Sequence, residues 1–116
     1  NLITAANVAA NKLDGHMRGI SAEQVNGMLQ RGEDFVFLDV RTPAEHDRVR
    51  LPKALLVPLG TLRGRLEDIP RKKRIVVFCN ISLRAYEAAL ILKAAGLRDC
   101  FVLDGGVEMW PFEKLG

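Results

Sequence analysis

Residues 74–96, RIVVFCNISLRAYEAALILKAAG, decide how this chain is read. Ile75, Val76, Val77 and Phe78 form a short apolar run rich in β-branched residues, the pattern of a parallel strand buried on both faces. From Arg84 onward the residues turn to alanine and leucine until Gly96 supplies a helix stop. Cys79 falls where the strand ends and the helix begins. At such a junction the free backbone N–H groups of residues 80–84 and the positive end of the helix dipole favour negative charge, and the Arg84 guanidinium adds to it. Cys79 therefore reads as a nucleophile, with Asn80, Ile81, Ser82, Leu83 and Arg84 as an anion-binding loop. The alternative reading makes Cys79 a small core residue that closes a buried strand.

Working outward, strands and helices alternate. Ser21-x-x-Gln24 is a capping box, and Ala22, Val25, Met28 and Leu29 give the following helix one apolar face before Gly32. Phe35 to Leu38 reads as a buried strand. Thr42-x-x-Glu45 with Pro43 at the first helical position is a second capping box, which explains Thr42 and Glu45 without any chemistry. Leu55, Leu56 and Val57 suggest a third strand, and a small helix near Leu62 to Asp68 ends at Pro70. Phe101, Val102 and Leu103 suggest the last strand, and Gly105-Gly106 turns the chain into a short helix ending near Trp110. The alternation predicts an α/β fold, a parallel sheet with helices on both faces. Right-handed crossovers then place the strand carboxyl ends on one edge, where Asp39 and the Cys79 loop meet.

Composition narrows the function classes. A chain of 116 residues with 48% hydrophobic content fits one ordinary domain. A net charge of +3 with 14 interspersed acidic residues gives no nucleic-acid surface, and Arg71-Lys72-Lys73-Arg74 reads as a solvated turn before a strand. No apolar stretch approaches the roughly 18 residues of a membrane span, and no signal sequence is evident. With only two cysteines, Cys79 and Cys100, in different predicted strands, a reduced cytoplasmic protein is expected. Cys100 opens the run Cys-Phe-Val-Leu and reads as a packing residue. His16, in a leading linker, and His46, on a capped helix, are expected to be exposed.

Four ordered blocks then narrow the reading further: Leu38-Asp39-Val40-Arg41 with Thr42-Pro43-Ala44-Glu45, Leu51-Pro52-Lys53-Ala54 with Val57-Pro58-Leu59, Cys79-x4-Arg84, and Leu103-Asp104-Gly105-Gly106 ending at Trp110. Together they resemble rhodanese-type sulfurtransferases. The resemblance implies a single domain over residues 18–116, built on a central parallel sheet of about five strands. It implies that Cys79 takes sulfane sulfur from thiosulfate, a polysulfide or a persulfide, holds it as a persulfide, and passes it to a thiol or cyanide. Asp39 and Arg41 become supporting residues, the carboxylate orienting the loop or pairing with a guanidinium. No metal or organic cofactor is required in this chain. Non-catalytic regulatory modules, arsenate reductases and cell-cycle phosphatases stay open as alternatives, although the phosphatase loop is longer by one residue.

Two departures from the family pattern stand out. Val49-Arg50-Leu51-Pro52-Lys53-Ala54 stands where related sequences often read Gly-His-Ile-Pro-Gly-Ala, so a stiffer or differently shaped turn is expected. Ser82 occupies a loop position where many relatives have glycine; if positive φ is required there, the backbone is strained. Residues 1–17 form a separate segment in which Leu2, Ala5, Ala6, Ala9 and Leu13 recur with helical spacing before Gly15. Ala9-x-Asn11-x-Leu13-x-Gly15 resembles the end of the dimerisation domain of flavin-dependent coenzyme A disulfide reductases. That likeness implies an upstream reductase, fused or interacting, to which FAD, NAD(P)H or coenzyme A sites would belong.

Overall fold

The computed structural model describes residues 18–116; the predicted leading helix, the 9–15 pattern and His16 lie outside the described residues. Five strands, β1 (Gly19–Ile20), β2 (Val36–Asp39), β3 (Ala54–Leu56), β4 (Ile75–Phe78) and β5 (Cys100–Leu103), form one parallel sheet in the order β1-β5-β4-β2-β3. Three α-helices, α1 (Ala22–Gln30), α2 (Pro43–Arg48) and α3 (Leu83–Ala94), and a 3-10 helix (Leu59–Asp68) connect them.

β2 and β4 are central and buried at every position, which is why their sequences show no polar alternation. The pleat sends Val36, Leu38, Ile75 and Val77 to one face, against Ala85, Ala88, Ala89 and Leu92 of α3 and Leu62 of the 3-10 helix. Phe37, Val76 and Phe78 point to the other face, against Val25 and Met28 of α1 and Trp110. Cys79 continues the parity of Ile75 and Val77 and belongs to the α3 side. The register pairs Asp39 with Phe78, so the chain leaving β2 and the chain leaving β4 emerge side by side at the carboxyl edge. Both capping boxes are formed, Ser21 with Gln24 and Thr42 with Glu45.

The structure departs from or sharpens the sequence reading in several places. The edge strand β1 is two residues long, too short to carry a periodic signal. The third strand starts at Ala54, one residue early, and the helix expected at Leu62 is a 3-10 helix that begins at Leu59. The short helix expected before Trp110 is a run of turns over residues 104–109, because Gly105 and Gly106 take φ of 77° and 58°, incompatible with a right-handed helix. Finally, Lys53 adopts φ 62°, the only left-handed non-glycine among the described residues, at one of the positions where a glycine pattern is broken.

Candidate active site

The loop from Cys79 to Ser82 joins β4 to α3, and Cys79 is 2% exposed at its base. Two of the loop's carbonyls bond to the turn after β5. Cys79 accepts from Val107 N–H at 3.0 Å and Asn80 from Glu108 N–H at 2.9 Å. Among the described residues, nothing accepts a hydrogen bond from the backbone N–H groups of residues 80–84, while Ser82 carbonyl takes the first helical bond, from Tyr86 at 3.0 Å. Unbonded N–H groups at a helix N-terminus are the kind of backbone donors that can favour an anion.

Beneath the loop lies a buried ionic network. Asp39 and Arg41 are 0% and 2% exposed and pair through a planar fork, Arg41 Nε to Asp39 Oδ1 at 3.0 Å and Nη2 to Oδ2 at 2.9 Å. Arg41 also donates to Val49 carbonyl at 2.6 Å and to Asn80 Oδ1 at 3.3 Å. The carboxylate thus orients Arg41, and Arg41 reaches the loop. His46, expected to be exposed, has a side chain only 18% exposed with Nδ1 2.9 Å from Asp39 Oδ2. The first turns of α2 fold back over the end of β2, which linear spacing does not show.

Glu45 does more than cap a helix. Its two oxygens accept from Arg84 Nη1 and Nη2 at 2.8 and 3.0 Å, and Oε2 also accepts from Asn80 Nδ2. One carboxylate therefore ties the residue after Cys79 to the residue at the start of α3. The Arg84 hydrogen bonds hold the Glu45 carboxyl well below the usual carboxylate range, against the opposing effect of burial, and the same bonds raise Arg84. Arg84, which the sequence places in the anion-binding loop, directs its fork onto Glu45.

The strain expected at Ser82 is absent. Its φ is −163°, an extended backbone open to any residue, so no glycine-like conformation is demanded there. Gly106 has that role instead: at φ 58°, a Cβ on it would stand 2.6 Å from the Ile81 carbonyl oxygen and 2.7 Å from that of Asn80. Gly106, Val107 and Glu108 shape the loop from about 26 residues downstream, a contact that only the β4–β5 pairing creates. Cys100 is separate from all of this. It is buried, donates Sγ–H to Leu97 carbonyl at 2.8 Å, and burial pushes its thiol up to about 11.

Fold and site together define a class, an α/β domain that carries a cysteine on a strand-to-helix loop at the carboxyl edge of a parallel sheet. The family is more specific. Residues 21–112 match the rhodanese-like domain, and the chain belongs to that family. It is 32% identical over 91 residues to a sulfurtransferase of Allochromatium vinosum, covering 78% of this chain and 85% of that protein. It is 30% identical to the probable adenylyltransferase/sulfurtransferase MoeZ of Mycobacterium tuberculosis, covering 78% of this chain but 24% of that one. Among solved structures it resembles reduced CoADR-RHD of Bacillus anthracis, with TM-score 0.81, 29% identity, and coverage of 90% of this chain and 18% of that one. It also resembles an NAD-dependent persulfide reductase from A. fulgidus, with TM-score 0.76, 44% identity, and coverage of 93% and 18%. The chain spans most of the Allochromatium protein and less than a quarter of the other three. Among the described residues, no helix is long and apolar enough to cross a membrane.

Proposed function

We propose that this chain is a sulfurtransferase module in which Cys79 carries sulfane sulfur. The observation that carries the reading is the loop itself, with the Cys79 and Asn80 carbonyls bonded to Val107 and Glu108 and the N–H groups of residues 80–84 left for an anion beside a cysteine. In the first step the Cys79 thiolate attacks the outer sulfur of a donor, thiosulfate, polysulfide or persulfide. A Cys79–sulfur bond forms, the donor's S–S bond breaks, and sulfite or a thiolate leaves with the electron pair. The terminal sulfur of the resulting persulfide carries the negative charge, which the loop N–H groups stabilise as an oxyanion hole stabilises oxygen. An acceptor thiolate or cyanide then removes that sulfur and regenerates the Cys79 thiolate, a ping-pong sequence.

Arg84, Glu45 and Asn80 hold the loop's shape, and Asp39 and Arg41 support it from below. The reading needs no cofactor within residues 18–116. It assigns flavin, nicotinamide or coenzyme A sites to a reductase partner, fused or interacting, a view favoured by the likeness to CoADR-RHD and to the persulfide reductase. A cytoplasmic setting follows from the same reading, since a persulfide carrier works with reduced thiols.

Intact mass after incubation with thiosulfate or with a polysulfide tests the proposal without assuming an acceptor. One added sulfur, about 32 Da, is expected in the wild type and in Cys100→Ser, and none in Cys79→Ser. An adduct that persists in Cys79→Ser places the chemistry elsewhere.

A further inference from the structure

The two guanidiniums that reach the Cys79 loop, Arg84 and Arg41, are both paired. Asn80, Ile81, Ser82 and Leu83, the residues between the thiol and Arg84, carry no charge. Arg84 is closed on Glu45 by two hydrogen bonds of 2.8 and 3.0 Å, and Arg41 is closed on Asp39 by two of 3.0 and 2.9 Å. Arg84 and Arg41 are thus each matched by a carboxylate. The cations Arg48 and Lys114, with Arg41, Glu45, Asn80 and Glu108, line a cavity of about 220 Å³ beside the loop, although Cys79 itself is not in its lining. Both side chains are exposed, so solvent and salt screen them.

Around the same loop the rim is apolar. Ile81 and Leu83 are 64% and 73% exposed, and Met109, one residue beyond the Glu108 N–H that bonds the loop, is 69% exposed. The attraction left for an anion is that of the backbone N–H groups and one helix end, a fraction of a unit charge. Such a nest suits one negative charge on a sulfur carried by an organic group. It compensates poorly for a small, strongly hydrated dianion, which must shed more water on entering.

We propose that Glu45 is a specificity-determining residue: by cancelling Arg84 within an apolar-rimmed loop, it makes the site select monoanionic organic persulfides over dianionic thiosulfate as sulfur donors. The inference rests on the sulfur-transfer reading and concerns which donor that chemistry takes. The transferred atoms are the same in both cases; a persulfide releases a thiolate and thiosulfate releases sulfite, so only the charge brought to the loop differs. Freeing Arg84 should reverse the preference.

The test compares kcat/KM for glutathione persulfide and for thiosulfate, with cyanide as acceptor, in the wild type, Glu45→Gln, Glu45→Asp and Ile81→Lys. Gln keeps the side-chain length and still satisfies a capping box, so mainly the charge is lost. The wild type should favour the persulfide, Glu45→Gln should raise the thiosulfate-to-persulfide ratio by about tenfold, and Glu45→Asp should restore it toward wild type. Ile81→Lys adds a free cation without touching Glu45 and should move the ratio in the same direction, which keeps the test decisive if Glu45→Gln fails to fold. A merely structural Glu45 would lower both rates together and leave the ratio unmoved. Loading from both donors with an unmoved ratio in Glu45→Gln and Ile81→Lys, or a wild type that prefers thiosulfate, overturns this inference alone. Loading from neither donor overturns the sulfur-transfer reading and this inference with it.

Discussion

Gly106 packs directly against the backbone of Cys79, so closely that a Cβ on Gly106 would overlap the Cys79 carbonyl oxygen. The neighbouring Val107 N–H donates to that same oxygen at 3.0 Å. The turn after β5 is therefore the surface on which the cysteine loop is moulded. Gly106→Ala should destabilise the domain by about 1–3 kcal/mol, from positive φ and displaced loop carbonyls together. It should also slow sulfur loading beyond what the lost stability explains. A thermal melt and a loading rate measured on one sample check both, and a wild-type loading rate would separate the loop's shape from its chemistry.

Lys53 at φ 62° is a second backbone site with a definite sign. A lysine in the left-handed region costs more than glycine does, so Lys53→Gly should stabilise the domain by roughly 0.5–1 kcal/mol even though glycine loses more entropy on folding. The denaturation midpoint in urea should rise with the slope unchanged. A lower midpoint would mean that the lysine side chain contributes more than its backbone conformation costs.

Asp39 and Arg41 form a buried pair, and removing one partner strands the other charge. Arg41→Met should cost about 3–5 kcal/mol, more than Arg65→Met, whose exposed ion pair with Asp68 is worth at most about 1 kcal/mol. Parallel urea melts of the two variants make the comparison.

Glu45 supplies a pH dependence whose sign is fixed. Its carboxyl is depressed in the folded protein by the Arg84 hydrogen bonds, so its stabilising contribution is complete above the unfolded value near 4.3 and is lost as pH falls through the folded value. Between about pH 5 and pH 2.5 the wild type should lose stability faster than Glu45→Gln. Parallel slopes in the two proteins over that range would contradict the assignment.

Cys100 has the opposite linkage. Burial raises its thiol to about 11, so the folded state holds the proton that the unfolded state releases near 8.5, and stability contributed by the neutral thiol is present below that value and declines as pH rises toward 11. At pH 8, iodoacetamide should leave Cys100 unmodified in the native protein and modify it rapidly in urea. Peptide mapping of Cys100 in both conditions reads this directly, and equal modification would show that the strand opens easily.

The local rules carried far in this chain. Ile75 to Phe78 specified a central strand because only a strand covered on both faces tolerates four successive apolar residues, and Ser21-x-x-Gln24 and Thr42-x-x-Glu45 fixed two helix starts through bonds made within one turn. The position of Cys79 between β4 and α3 was legible for the same reason. The turns at Gly105 and Gly106 were misread as leading into a helix, because a Gly-Gly pair does not disclose the sign of φ.

What the sequence by itself determined is the central strands, the capped helices and the place of the thiol at a strand end, since these depend on residues within about one or two turns of each other. What only the tertiary structure decided is which groups surround that thiol. Glu45 reaches Asn80 and Arg84 across 35 and 39 residues, His46 turns onto Asp39, and Gly106 supports the loop, because β2, β4 and β5 pair side by side and deliver their carboxyl ends to one edge. A side chain that satisfies a local cap leaves the rest of its hydrogen-bonding capacity undeclared, and that capacity is spent on whatever the sheet order brings near.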